Sequence, residues 1–90
     1  MATRTEWSAE YMFCDGFMQR TMWLDDEAEE LIIVVETEEG TIAIEVKDAK
    51  GNVIFHQENM ETGTYEVEVS KQYEVRLEME NHKGGFYIGN

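Results

Sequence analysis

A chain of 90 residues with 20 Asp and Glu against 7 Lys and Arg, net −13 at neutral pH, repels nucleic acid and anionic membrane surfaces, which excludes direct nucleic-acid binding. Its 42% hydrophobic and 11% aromatic content supports one folded domain. A chain this short leaves about a third or more of its unfolded-state surface in water, so neither a second core nor a deep multilayer active site fits.

The reading is a single domain over residues 1–90, with 1–5 as a loose N-terminal segment. Met1 to Trp7 contains no apolar run of the kind an export signal needs, and no stretch of the chain is long and apolar enough to span a membrane. The expectation is a cytoplasmic protein, or a secreted or cell-surface one where a signal segment lies upstream. Cys14 is the single cysteine and Pro is absent, so there is no internal disulfide and no strand loses a backbone donor to proline.

In chain order, Trp7, Ala9, Tyr11 and Phe13 alternate with Ser8, Glu10, Met12 and Cys14, which predicts a first strand with its aromatic face inward. Asp15-Gly16 predicts a hairpin turn, and Phe17 to Leu24 a returning strand with Met22 and Leu24 in the core and Trp23 partly exposed. Asp25-Asp26-Glu27-Ala28-Glu29-Glu30 reads as a solvated acidic loop. A calcium loop is the sharper alternative, but such loops normally interleave their carboxylates with Gly or Asn, and this one has no glycine.

Leu31 to Val35 is continuous and β-branched, as expected of a strand in the middle of a sheet. Glu38-Glu39-Gly40 predicts a turn. Ile42, Ile44 and Val46 then face inward, Asp48 to Asn52 makes a tight connection, and Val53 and Phe55 continue the inward phase. Gln57 to Gly63 is a loop. Tyr65, Val67 and Val69 face inward against Glu66 and Glu68, and Tyr73, Val75, Leu77 and Met79 against Glu74, Arg76, Glu78 and Glu80. Two neighbouring ladders of glutamates repel one another, so Lys47, Lys71 or Arg76 is expected among them. Asn81 to Gly85 predicts the last turn, and Phe86 and Ile88 the last strand. The fold class is therefore all-β: a small antiparallel β-sandwich of the Greek-key, Ig-like or jelly-roll kind, with about eight short strands.

The run Asp15-Gly16, Glu30-Leu31-Ile32-Ile33, Glu39-Gly40-Thr41-Ile42-Ala43-Ile44, Gly51-Asn52-Val53-Ile54, Gly63-Thr64-Tyr65, Tyr73-Glu74-Val75 and His82-Lys83-Gly84-Gly85-Phe86-Tyr87-Ile88 resembles a group of short bacterial β-sandwich proteins of unknown function, often secreted or lipid-anchored. The resemblance covers residues 15–89. It implies the sandwich fold and an extracytoplasmic home, and transfers no catalytic residue.

No catalytic residue, cofactor or metal is expected from the residues themselves. His56 and His82 are the natural acid-base candidates, yet neither has a nucleophile at a recognisable spacing, and His82 is placed in a surface turn. Zinc needs clustered His or Cys, and Cys14 reads as a small apolar residue at a strand end. Among the aromatics, Trp23 and Tyr87 are expected to point outward, where such rings stack on sugars or hold peptides.

The expectation is a non-enzymatic binding module for a protein or glycan. The alternative is a small acidic inhibitor that imitates nucleic acid through Glu66, Glu68, Glu74, Glu78 and Glu80 and docks on a basic groove of a partner, in the manner of phage anti-defence proteins.

Overall fold

The computed structural model describes residues 2–90. It is a single-domain, all-β structure of one antiparallel sheet with five strands: β1 (Trp7–Trp23), β2 (Glu30–Asp48), β3 (Val53–Gln57), β4 (Gly63–Glu68) and β5 (Gln72–Gly89). The order is β1-β5-β2, and the far edge of β2 is shared by β4 along its first half and β3 along its second. No helix is long and apolar enough to cross a membrane among the described residues.

Five strands instead of eight correct the expected count, and the three mistaken turns share one physical cause. Asp15-Gly16, Glu38-Glu39-Gly40 and Asn81 to Gly85 lie inside β1, β2 and β5, at shifts in the pairing register. Gly16, Gly40, Gly84 and Asn81 all have positive φ there. A β-bulge uses such backbone to bend a continuing strand, whereas a hairpin uses it to reverse the chain.

These bends fold the sheet over. A straight 19-residue strand such as β2 would run about 63 Å, yet the longest dimension of the molecule is 34 Å. Both ends of β5 meet as a result. Trp23 registers with Gln72 at the start of β5, while its carbonyl accepts a 3.4 Å bond from Nδ2 of Asn90, just past the end of β5. The bulges also reverse the inward phase. Leu31, Ile33 and Val35 are buried before the bend of β2 and Ile42, Ile44 and Val46 after it, so both halves feed one apolar cluster with Met22, Val75, Leu77, Phe86 and Ile88.

The bend itself is held by close approach. A side chain on Gly40 would collide with the Asn81 carbonyl, and one on Gly84 with the Glu36 carbonyl. Asp15 Oδ1 accepts a 2.8 Å bond from the Asn81 amide, tying β1 to β5.

Several side chains depart from the predicted phase. Phe13 is 58% exposed, because the bulge after Tyr11 gives the inward place to Cys14. Val53, expected in the core, is 54% exposed; the irregularity at Val46/Lys47 sets it opposite the outward Lys47. Met60 is buried within the loop, its amide bonded to the Ile42 carbonyl at 3.0 Å. Of the N-terminal segment 1–5, Met1 lies outside the described residues. The rest is tied down by the Ala2 bridge to Trp7 and a 3.0 Å bond from the Trp23 amide to the Arg4 carbonyl.

Candidate functional site: an acidic face with an apolar groove

The bend gives the sheet two outward surfaces, named here for the residues at their centres. The Tyr87 face is built from the outward positions of the first halves of β1 and β2, of β4, and of the last part of β5. The pairing register arranges it in rows across the strands: Glu10, Gly85, Glu36; then Ser8, Tyr87, Val34, Thr64; then Gly89, Ile32, Glu66; then Glu30 beside Glu68. Alternation on β5 therefore leaves glycine on both sides of Tyr87. The Tyr87 ring fills the place of a side chain over Gly89, and at Gly85 the Ala9 carbonyl and the Glu10 side chain come close to where one would stand. The result is an open groove of about 410 Å³, lined on one side by Tyr87 and Val34 and on the other by Glu10 and Glu36.

Five carboxylates, Glu10, Glu30, Glu36, Glu66 and Glu68, stand in these rows and no Lys or Arg does. Lys83 lies beyond them, in the bend and opposite Glu39. Crowding shows in the titration of Glu30, which is raised above the ordinary carboxyl value, first by a hydrogen bond shared with Glu66 and then by the charges of Glu66, Glu68 and Glu29. The Tyr87 phenol is raised as well, by burial first and then by Glu6. Between the acids lie Ile32 and Val34, each 38% exposed.

The second surface, the Arg76 face, contains Phe17, Glu78 and Ala43 in one row, Gln19, Arg76, Glu45 and His56 in the next, and Thr21, Glu74 and Lys47 in a third, with Glu80 opposite Thr41. Arg76 pairs with Glu78 at 3.0 Å and lies 4.6 Å from the Phe17 ring centre. Lys47 is 3.6 Å from Glu45. The two glutamate ladders are not neighbours as expected, because β2 lies between β4 and β5; Lys47 and Arg76 interleave those of β5 alone, and Lys71 pairs with Asp26 at 3.0 Å in the acidic loop.

The residues singled out from sequence are thus divided. Tyr87, Glu66 and Glu68 share one face. Glu74, Glu78 and Glu80 sit on the other, since they lie before the bend of β5, opposite the second half of β2. Trp23 is half-buried where the strand ends converge, with the Arg4 guanidinium 5.0 Å from its ring centre. Glu10, Glu36 and Gly85 were not found by sequence reasoning, because only the pairing register brings them side by side.

His82 is fully buried in the bend, which corrects its placement in a surface turn. Nδ1 lies 2.6 Å from the Tyr11 hydroxyl and Nε2 2.8 Å from Thr37 Oγ1. The single Thr37 hydroxyl proton goes to the Met60 carbonyl at 3.1 Å, so Thr37 accepts from His82 Nε2–H, and Nδ1 accepts from Tyr11. This neutral chain joins β1, β5, β2 and the Met60 loop. Burial holds the ring's pKa below 6.5. Sealed from solvent, His82 staples the bend and has no path to a substrate. His56 is exposed, 3.9 Å from Glu58.

The Asp25–Glu30 loop is spoken for in part by the Asp26 pair and by the Asp25 amide bond to Asn90 at 2.8 Å. Among the described residues no group of three or more His, Cys, Asp or Glu is placed to hold a metal ion. The sequence matches no family model and no curated protein.

Proposed function

We propose that this protein is a non-enzymatic interaction module and that its Tyr87 face receives a basic segment of a partner protein. One observation carries this reading: carboxylates from two strands flank a groove whose floor is glycine and whose wall is Tyr87 and Val34, with no cation in the rows between them. A Lys or Arg side chain suits such a place, its aliphatic stem lying along the apolar wall and its charge between Glu10 and Glu36. In this reading the bent sheet is the counterpart of the two-layer sandwich, and the resemblance to short bacterial sandwich proteins belongs to the same proposal.

The nucleic-acid-mimic alternative is weaker on geometric grounds. It needs the two glutamate ladders on one surface, and they project from different faces, one of them interleaved with Arg76 and Lys47.

Calorimetric titration with an oligoarginine peptide tests the proposal. Saturable binding that weakens with salt and is lost in the triple variant Glu10→Gln, Glu36→Gln, Tyr87→Ala is the expected result. Absence of binding at low salt, or equal binding by the variant, refutes it.

A further inference from the structure

A different observation concerns the edge of the sheet. β1 pairs with β5 on one side only, and among the described residues the N-terminal segment meets it near its two ends, at Trp7 and Trp23. The backbone from Met12 to Met18 is an open pairing edge among the described residues. Soluble proteins usually blunt such an edge with lysine, proline or a covering segment. Here it carries Met12 at 67%, Phe13 at 58% and Phe17 at 63% exposure, with Met18 at 36%. The edge strand β3 exposes two apolar side chains, Val53 at 54% and Ile54 at 38%, against four on β1.

We infer that β1 is a self-association edge, pairing antiparallel with β1 of a second copy across a two-fold axis near Asp15. Three features select a second copy as the occupant. The first is charge: Glu10, Asp15 and Arg20 leave β1 at net −1, with −12 on the rest of the chain. Two copies therefore meet with little net charge along this strand, Glu10 of one falling opposite Arg20 of the other.

The second feature is symmetry. Met12 and Phe13 precede Asp15 by the same spacing at which Phe17 and Met18 follow it, so a two-fold pairing centred there sets each apolar pair opposite the other and covers both. The third is shape. The fold of the sheet runs across its strands at the bulges of β1, β5 and β2, and a second β1 related by an axis through the bend folds over at the same place. The bulge at Cys14 and Gly16 therefore matches its own copy, whereas a straight strand from another protein would leave the bend uncovered.

Sedimentation of the intact chain over a dilution series, with hydrogen exchange at the highest and lowest concentrations, tests the inference. The expected result is a doubling of the 10.5 kDa mass as concentration rises, with slowed exchange confined to β1. The dimer should strengthen as salt rises, since screening relieves repulsion between two chains of −13; binding of a basic peptide on the Tyr87 face should respond in the opposite direction. Phe13→Lys with Phe17→Lys, at two exposed positions, should abolish the dimer and keep the strand signature in circular dichroism. A monomer at every concentration overturns the inference and leaves the edge to a strand of another protein. So does a dimer whose protected amides lie outside β1, and this exchange readout holds even where the double variant fails to fold.

Discussion

The Tyr87 and Arg76 faces are built from the same three long strands and differ in what β5 places at the middle of each. On the Arg76 face β5 offers Arg76 between Gln19 and Glu45, and Glu74 opposite Lys47, so negative charge on neighbouring strands is met by positive charge within reach. On the Tyr87 face the corresponding positions of β5 are Gly85 and Gly89, so β5 sets no charged side chain between the carboxylates of β1 and β2. The contrast shows that net charge alone does not tell one acidic face of the sheet from the other. What counts is where the compensating cations are missing and whether an apolar surface lies in the gap.

The largest expected effect comes from breaking the bend on which both faces depend. Gly84→Ala puts a methyl group against the Glu36 carbonyl at positive φ. It should cost about 1–3 kcal/mol from backbone strain alone, visible as a lower urea midpoint. Gly51→Ala, also at positive φ but with open space around it, is the control and should cost less.

Next is the staple inside the bend. His82→Leu leaves the Tyr11 hydroxyl, and Thr37 as an acceptor, without their ring partner, at a cost of about 1–3 kcal/mol. It should also change the pH profile. The native ring stays neutral below 6.5, whereas the unfolded chain takes up a proton there, so His82 contributes stability above pH 6.5 that is lost as pH falls through the native value. Tyr11, pushed up to about 12 by burial and then by the nearby Cys14 charge, stays neutral throughout that window. Denaturant melts of both proteins from pH 7.5 to 5 should show this slope in the wild type only.

The comparison of the faces is sharpened by a matched pair of charge variants. Glu10→Gln with Glu36→Gln should weaken oligoarginine binding by about fivefold, from two exposed ion pairs. Glu74→Gln with Glu78→Gln should leave it nearly unchanged. Equal losses would mean that bulk charge, and not the groove, attracts the peptide.

The smallest effect is expected at Glu66→Gln. Its carboxyl is the main cause of the upward shift at Glu30, and a raised native value means stability present below about 4.5 and lost as pH rises through it. Replacement should raise the thermal midpoint at pH 7 by about 1–2 °C and leave it unchanged at pH 3.

The sequence by itself determined the all-β class and most of the core. Alternation at Ile42, Ile44 and Val46, and at Tyr73, Val75, Leu77 and Met79, places side chains on one side of a strand whatever its neighbours are, and all seven are buried. It also located the Asp48 to Asn52 turn, where Asp48 Oδ1 accepts from the Lys50 and Asn52 amides at 2.9 Å. What only the tertiary structure decided is whether a glycine in a strand-rich chain marks a reversal or a bend. Positive φ serves both, and the choice rests on contacts made far away in sequence: Gly40 against Asn81, Gly84 against Glu36, His82 against Tyr11 and Thr37. From that choice follow the merging of eight expected strands into five, the burial of His82, and the alignment of Glu10, Gly85 and Glu36 across three strands.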